Sequence, residues 1–280
     1  MTTQSNHLRV TLVQINASRD IQANLGRLKQ LLTGVGTTDL IALPEVFAIR
    51  GSDRDYQDSA QPLTGPLMNL LASVAHRHNA WVLAGSIVET SESAVYNTSV
   101  LLNRRGEIAA TYRKIHLFEA ELDSGEVIRE SDLWTAGSTP VIADVDGWQC
   151  GMAICYDLRF PELYRLQAVE GAELLMVPAC FTRKTTEAHW QTLMRARAIE
   201  NHCFVVAANQ VGEIAPGMDC GGDSMILDPW GTELAKADTK SEMMIAADLD
   251  FSELKRIRSE LPSLASRQPH TYGSVQKGGS

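Results

Sequence analysis

Strand-sized apolar runs alternate with amphipathic helical segments along the whole of this 280-residue chain, and no other feature limits the fold as tightly. The first run, "LRVTLVQI" (8–15), is β-rich and bounded by polar residues, which predicts a strand. Asp20 then opens a segment with Ile21, Leu25, Leu28 and Leu32 on one helical face. "DLIALPE" (39–45) predicts a buried strand, and "GPLMNLLASVAHRH" (65–78) a helix with Pro66 near its first turn. "WVLAGSIVE" (81–89) and "VYNTSVLLN" (95–103) read as two further strands, "NRRGE" (103–107) as a turn and "IAATYRK" (108–114) as the next strand. Residues 118–139 are expected to form a long loop, a place where compact domains often carry function.

A second half begins near Val141 with the same rhythm. "WQCGMAI" (148–154) is a strand, "PELYRLQAVE" (161–170) a helix that Gly171 can cap, and "ELLMVPA" (173–179) another strand. "EAHWQTLMRARAIEN" (187–201) reads as a helix, "CFVVAANQ" (203–210) as a strand, and "GDSMILDPWGTELAKA" (222–237) as a hairpin turning at "DPWG". Such alternation predicts an α/β protein, and the repeated rhythm of the halves hints at two sheets. No linker or low-complexity tract divides the chain. The expectation is a single domain over 1–280, with a core from about 7 to 260 and a tail over 261–280. The closing "QKGGS" is left out of the fold reading.

Composition narrows the classes of function. The net charge is −9 and no basic cluster marks a nucleic-acid footprint, so no nucleic-acid partner is expected. The longest apolar runs are too short to span a membrane, and "MTTQSNHLRV" lacks the features of a signal peptide. Five cysteines, an odd number without an export signal, predict reduced thiols in a cytoplasmic protein. There is no Cys-x-x-Cys or His-rich pairing, so no metal site is expected.

The sharpest candidate chemistry lies in "GMAICYDLRFPELYR" (151–165). Strand alternation puts Cys150, Met152 and Ile154 on one face and Gly151, Ala153 and Cys155 on the other. Cys155 thus ends a strand, beside small residues, just before a turn into a helix. Open α/β sheets build their sites there, and backbone N–H groups of the turn can stabilise a thiolate or an oxyanion. Cys150, Cys180 and Cys203 read as buried structural thiols, and Cys220, in a Gly-rich loop, as incidental. A nucleophilic thiol needs a base. His116 and His189 are candidates by local sequence, without an obvious orienting carboxylate. Glu45, ending "IALPE", is another: held against Leu43, Val46 and Phe47, its pKa is expected to rise toward neutrality. Lys114, at the end of "YRK", is a candidate buried ammonium for an oxyanion.

Taken together, "ALPEVF" around Glu45, "YRKIHLF" around Lys114 and "GMAICYDLRFPELYR" around Cys155 resemble the Glu, Lys and Cys motifs of the nitrilase superfamily of carbon–nitrogen hydrolases, in order and spacing. The resemblance runs from "RVTLVQ" through "AHWQTLMRARAIEN" to "DSMILDPWG". It implies an αββα four-layer sandwich, two sheets with helices outside, and a homodimer or higher homo-oligomer. It also implies a cofactor-free amidase acting on a small-molecule amide. Cys155 would attack the amide carbon to form a thioester, and Glu45 would shuttle protons. Lys114 and the backbone N–H of Tyr156 would hold the oxyanion. A second family Glu falls at Glu130, in "RESDLWTAG"; on loop composition alone Glu119 and Glu121 compete for its place. Asp157, Arg159 and Glu162 match the family run "CYDLRFPE" and would brace the cysteine turn.

The nearest branch by resemblance contains ω-amidases and deaminated-glutathione amidases, which cleave an amide in a small acidic compound. N-carbamoyl amino-acid hydrolysis is the alternative, with nitrile hydrolysis behind it. Phe118 and Phe181 would line the pocket with Thr182, while Arg183 and Lys184 are candidates to hold a substrate carboxylate. Asp223 stands where a His or similar polar residue is expected, and "GEIAPGMDC" before it departs from the branch pattern, so this segment would alter specificity if it lines the pocket. Arg195 and Arg197 do not share a helix face, and one is expected to pair with Glu200.

Overall fold

The computed structural model describes residues 5–92, 94–121, 127–215 and 218–273. The closing "QKGGS", the middle of the 118–139 segment and Pro216–Gly217 of "GEIAPGMDC" lie outside the described residues. The first half comprises β1 (His7–Gln14), α1 (Ile21–Leu32), β2 (Leu40–Ala42), α2 (Asp53–Ser59), α3 (Pro66–His78), β3 (Trp81–Leu83), β4 (Ile87–Ser91), β5 (Ala94–Leu102) and β6 (Ile108–Arg113). A small hairpin, β7 (Glu119–Glu121) and β8 (Val127–Arg129), leads into a 3-10 turn at Glu130–Asp132. The second half runs β9 (Val141–Val145), β10 (Trp148–Met152), α4 (Pro161–Val169), β11 (Leu174–Met176), α5 (Arg183–Thr185), α6 (Gln191–Asn201) and β12 (Phe204–Ala207). It closes with β13 (Val211–Ala215), β14 (Met218–Gly221), β15 (Met225–Leu227), β16 (Glu233–Lys236), β17 (Met243–Asp250) and α7 (Phe251–Glu260).

Two large sheets carry the molecule. One has the order β17-β1-β2-β3-β5-β4, with β6 paired to β5; the other has the order β16-β15-β12-β11-β10-β9. Each holds three adjacent parallel strands, β1-β2-β3 in the first and β10-β11-β12 in the second, edged by antiparallel ones. The repeated rhythm of the sequence is this repeated sheet. Alternation sorts the side chains. Val10, Leu12, Leu40 and Ala42 pack toward Met152, Met176 and Val206 of the other sheet. Val13, Ile41 and Val82 point the other way, onto Leu28 of α1 and Leu71 and Ala75 of α3. Helices α4 and α6 cover the outer face of the second sheet, and the result is the αββα sandwich.

Local chemistry sets the element ends. The Asp20 side chain accepts from Ala23 N at 3.0 Å and starts α1, and Pro66 occupies the first turn of α3. The structure adds α2, the β13–β14 hairpin, β17 and α7, which the sequence reading did not assign, and departs from it elsewhere as well. "WVLAGSIVE" is two strands, broken at Gly85, whose φ is +56°. A Cβ there would lie 1.9 Å from the Pro44 carbonyl oxygen, so only glycine lets the chain pass so close to the segment bearing Glu45. The expected long loop at 118–139 holds the β7–β8 hairpin and the 3-10 turn. The helix expected from 187 begins as a π-helical turn, Thr186–Trp190, before α6. Among the described residues no helix is long and apolar enough to cross a membrane.

Candidate active site

Three carboxyl-terminal strand ends meet where the sheets join. Glu45 lies just beyond β2, Lys114 directly follows β6, and Cys155 comes three residues after β10. Lys114 is 1% exposed and Glu45 3%. The Lys114 ammonium donates to Glu45 Oε1 at 3.0 Å and to Glu130 Oε1 and Oε2 at 3.0 and 2.8 Å. Glu130 also accepts from the Phe118 backbone N–H at 2.8 Å. Asn97 Nδ2 donates to Glu45 Oε1 at 2.9 Å, and the Glu45 charge acts on the Cys155 thiol. These contacts bring Glu45, Lys114, Glu130 and Cys155 into one buried cluster. Glu119 and Glu121, the competing acids, sit on the exposed edges of β7, where Glu119 takes the Ser131 hydroxyl.

The backbone beneath the cluster is strained. Cys155 has φ +46°, and Val46, immediately after Glu45, has φ +42°. A side chain held in this region costs on the order of 1–3 kcal/mol, so the surroundings must fix it. Asp157 does so at the cysteine. Its fully buried carboxylate accepts from Ile154 N at 2.8 Å, Tyr112 Oη at 2.7 Å and His116 N at 3.1 Å, and meets His116 Nδ1 at 2.7 Å. At the glutamate, Val46 N donates to Ser86 Oγ and the Glu45 carbonyl accepts from Gln210 Nε2.

Burial and charge set the protonation states. Burial alone would raise the Glu45 carboxyl, but the Lys114 charge and hydrogen bond and the charge of Arg50 outweigh it and hold the pKa below its ordinary value. The expected rise toward neutrality is therefore corrected: the sequence showed the apolar neighbours and a candidate ammonium at Lys114, but not their contact. Burial and the Glu45 charge push the Cys155 thiol well up, against the opposing Lys114 charge and the Cys180 backbone hydrogen bond. Burial works against the Lys114 ammonium, yet Glu130 and Glu45 hold its pKa well above the usual value. Burial raises Glu130, and the neighbouring Glu45 charge adds to the rise despite Lys114. The resting cluster is a thiol, a carboxylate base and an ammonium. A thiol beside an ionised acceptor can be deprotonated as it attacks, and the ammonium lies next to that acceptor.

A cavity of about 450 Å³ opens above the cluster. Glu45, Glu130 and Cys155 lie in its wall, with Tyr156, Phe118 and Phe181. The Tyr156 and Phe118 rings meet edge to face, with centroids 5.1 Å apart. Thr182 and Arg183, expected there, are not among its lining residues; Thr185 takes that position. The Thr182 hydroxyl bonds Thr185 Oγ1 at 2.9 Å, and the Arg183 guanidinium is held by Asp219 at 3.2 Å. Lys184 is likewise absent from the wall. Asp223 is buried against Lys236 and Gln191, away from the cavity, and none of residues 211–213 and 219–221 lies in the wall.

Further sequence expectations are corrected here. Cys180 and Cys220 form a disulfide, so they are neither reduced nor incidental; Cys150, Cys155 and Cys203 are free. His116 does have an orienting carboxylate, Asp157, but its ring stacks on Phe160 at 3.7 Å and is not in the cavity wall. His189 stands beside the Arg159 guanidinium at 3.5 Å and does not line the cavity either. The expected pairing of one helix arginine with Glu200 is present and is made by Arg197, at 2.8 Å. The sequence reading passed over Asn97, although an Asn inside an apolar strand is a usable signal. It also passed over Arg50, and gave Arg159 only a bracing role although Arg159 faces the cavity. Among the described residues no group of three or more His, Cys, Asp or Glu is arranged to hold a metal ion.

A four-layer sandwich with a buried Glu–Lys–Cys cluster at the joint of its sheets defines a hydrolase class that works through a cysteine. The chain belongs to the carbon-nitrogen hydrolase family, whose model matches residues 9–259. It is 38% identical over 274 residues to a 2-oxoglutaramate amidase of Paenarthrobacter nicotinovorans, covering 95% of this chain and 90% of that protein. It is 38% identical over 234 residues to a deaminated glutathione amidase of Synechocystis, covering 82% of this chain and 86% of that one. The Caenorhabditis elegans NitFhit crystal structure superposes with a TM-score of 0.89 at 31% identity, over 97% of this chain and 69% of that one.

Proposed function

We propose that this protein is a cofactor-free amidase that hydrolyses a small carboxylate-bearing amide through a thioester on Cys155. The observation that carries the reading is the Lys114 ammonium, clamped between Glu45 and Glu130, with Glu45, Glu130 and Cys155 in one cavity wall. As the Cys155 sulfur attacks the amide carbon, its proton passes to Glu45. Negative charge grows on the carbonyl oxygen, where Lys114 Nζ and the Tyr156 backbone N–H receive it. The C–N bond breaks as Glu45 returns the proton to the leaving nitrogen, which departs as ammonia or an amine. Glu45 then takes a proton from water, whose oxygen attacks the thioester. The C–S bond breaks, and the proton returns to the thiolate. Glu130 positions Lys114 and is not itself in contact with the reacting atoms.

The named activities of the relatives support an acidic amide as substrate. The reading includes a cytoplasmic enzyme that self-associates. Exposed Leu166 and Val169 of α4 and Ile199 of α6, all on the outer helical layer, favour a second copy of the chain there. The test is release of ammonia from succinamate and α-ketoglutaramate, and of amine from deaminated glutathione, with an N-carbamoyl amino acid and a nitrile alongside. Cys155→Ala should abolish turnover, and Glu45→Gln should lower it by about 10²–10⁴. Turnover that survives Cys155→Ala refutes the mechanism, and turnover of the carbamoyl compound alone moves the enzyme to the alternative substrate.

A further inference from the structure

Most arginines of this chain hold a carboxylate: Arg9 binds Asp248, Arg104 binds Asp39 and Asp146, Arg113 binds Glu89, and Arg183 binds Asp219. A chain with 34 acidic against 25 basic residues gives every guanidinium ample partners. Of the arginines without a carboxylate partner among the described residues, Arg50 and Arg159 are the ones half-buried on the cavity wall. Arg50 Nε is buried without any hydrogen-bond partner. The Arg50 charge acts on Glu45, so it stands near the reacting end of the cavity. Arg159 lies over the Phe181 and Tyr156 rings, 5.5 and 5.7 Å from their centroids. A partly desolvated guanidinium without an anion is an unfavourable arrangement that an incoming carboxylate relieves.

We propose, on the basis of the amidase reading above, that Arg50 binds a carboxylate of the substrate and that Arg159 binds a second. The enzyme thereby selects amides that bear two negative groups. Size agrees: about 450 Å³ is within the range of sites that enclose whole small-molecule ligands. Arg50 is near the cluster, so its carboxylate belongs to the acyl part of the substrate, and the second to the amine part.

Three matched amides test this: butanamide (neutral), succinamate (one carboxylate) and N-succinylglycine (a carboxylate on each side of the scissile bond). Wild-type kcat/KM should rise along the series. Arg50→Ala should lower kcat/KM for succinamate by about tenfold more than for butanamide, with the extra loss in KM, and Arg50→Lys should recover part of it. Arg159→Ala should remove the preference for N-succinylglycine over succinamate. Equal losses on all three amides in Arg50→Ala would overturn the proposal, since Arg50 would then act only through Glu45. So would a wild type that does not prefer N-succinylglycine. Calorimetric binding of N-succinylglycine to Cys155→Ala, with and without Arg50→Ala, separates this proposal from the amidase reading. If no amide is turned over but binding depends on Arg50, the reaction assignment fails and anion selection stands. If binding ignores Arg50, anion selection fails whatever the turnover.

Discussion

Replacing Glu130 by Gln isolates the job of the second glutamate, because it removes a charge while changing little volume. The Glu130 carboxylate accepts two bonds from Lys114 Nζ, at 3.0 and 2.8 Å, and one from Phe118 N at 2.8 Å. The amide oxygen of a Gln can keep the Phe118 bond, but Lys114 then loses its bidentate partner and relaxes toward Glu45, 3.0 Å away. A hydrogen bond to a charged group is worth about 1.5–3 kcal/mol, and losing an oxyanion donor costs about 3–4 kcal/mol. At about 1.4 kcal/mol per factor of ten, kcat should fall between about tenfold and a thousandfold. The pH profile should move as well. Glu45 and Glu130 repel each other as like charges, and Glu45 raises the Glu130 pKa. Without the Glu130 charge, Glu45 ionises more readily, and the acid limb of kcat/KM shifts to lower pH. Stopped-time ammonia assays over a pH series measure both. If Glu130→Gln keeps kcat within about threefold of wild type with an unmoved acid limb, the Lys114 clamp is not a working part of the site.

The ionisation pattern predicts a broad activity plateau: with Glu45 held below its ordinary 4.5 and Cys155 above its ordinary 9.0, kcat/KM of the wild type should be flat across neutral pH, falling only below 4.5 as Glu45 protonates and above 9.0 as the thiol ionises. Asp157→Asn should lower stability by about 1.5–3 kcal/mol, read as a drop in unfolding midpoint, because it weakens the charged hydrogen bonds that Asp157 accepts from Ile154, Tyr112 and His116. The Cys180–Cys220 bond closes a separation of 40 residues, for which chain entropy gives about 4 kcal/mol. Thiol titration of the denatured, unreduced protein should therefore find three free cysteines, and a dithiol reductant should lower the unfolding midpoint; five free thiols would refute the bond.

Some of this was legible in the sequence, and the reason is topological. Glu45 and Cys155 each follow an apolar strand of a parallel set, Lys114 follows the antiparallel edge strand β6, and stacking the two sheets brings these strand ends to one place. What stayed illegible depends on distances across the fold. The direction of the Glu45 shift needs Lys114, 69 residues on, whose charge overrides the local apolar setting. Arg183 looked like a carboxylate binder until Asp219, 36 residues later, turned out to hold it. Arg50, by contrast, showed nothing in its neighbours "AIRGS", because its distinction is the lack of a partner. Cys180 and Cys220 sit in unlike local sequences, and only the antiparallel bridge between Thr182 and Cys220 explains how they meet.

The site belongs to neither half of the chain. Glu45 and Lys114 come from the first sheet and Cys155 from the second, and the cluster exists only while the two sheets are stacked. The bond between Tyr112 on β6 and Asp157 in the cysteine turn crosses that joint at 2.7 Å, two residues away from both Lys114 and Cys155. One buried hydrogen bond thus aligns the ammonium and the thiol while it braces a residue held at φ +46°. Packing between the sheets and the geometry of the chemistry are the same interaction seen from two sides. A substitution that loosens the inter-sheet core near Tyr112 should therefore lower kcat before it unfolds the protein, whereas an equal loss in the α1–α3 layer, on the far face of the first sheet, should lower stability and leave kcat in place.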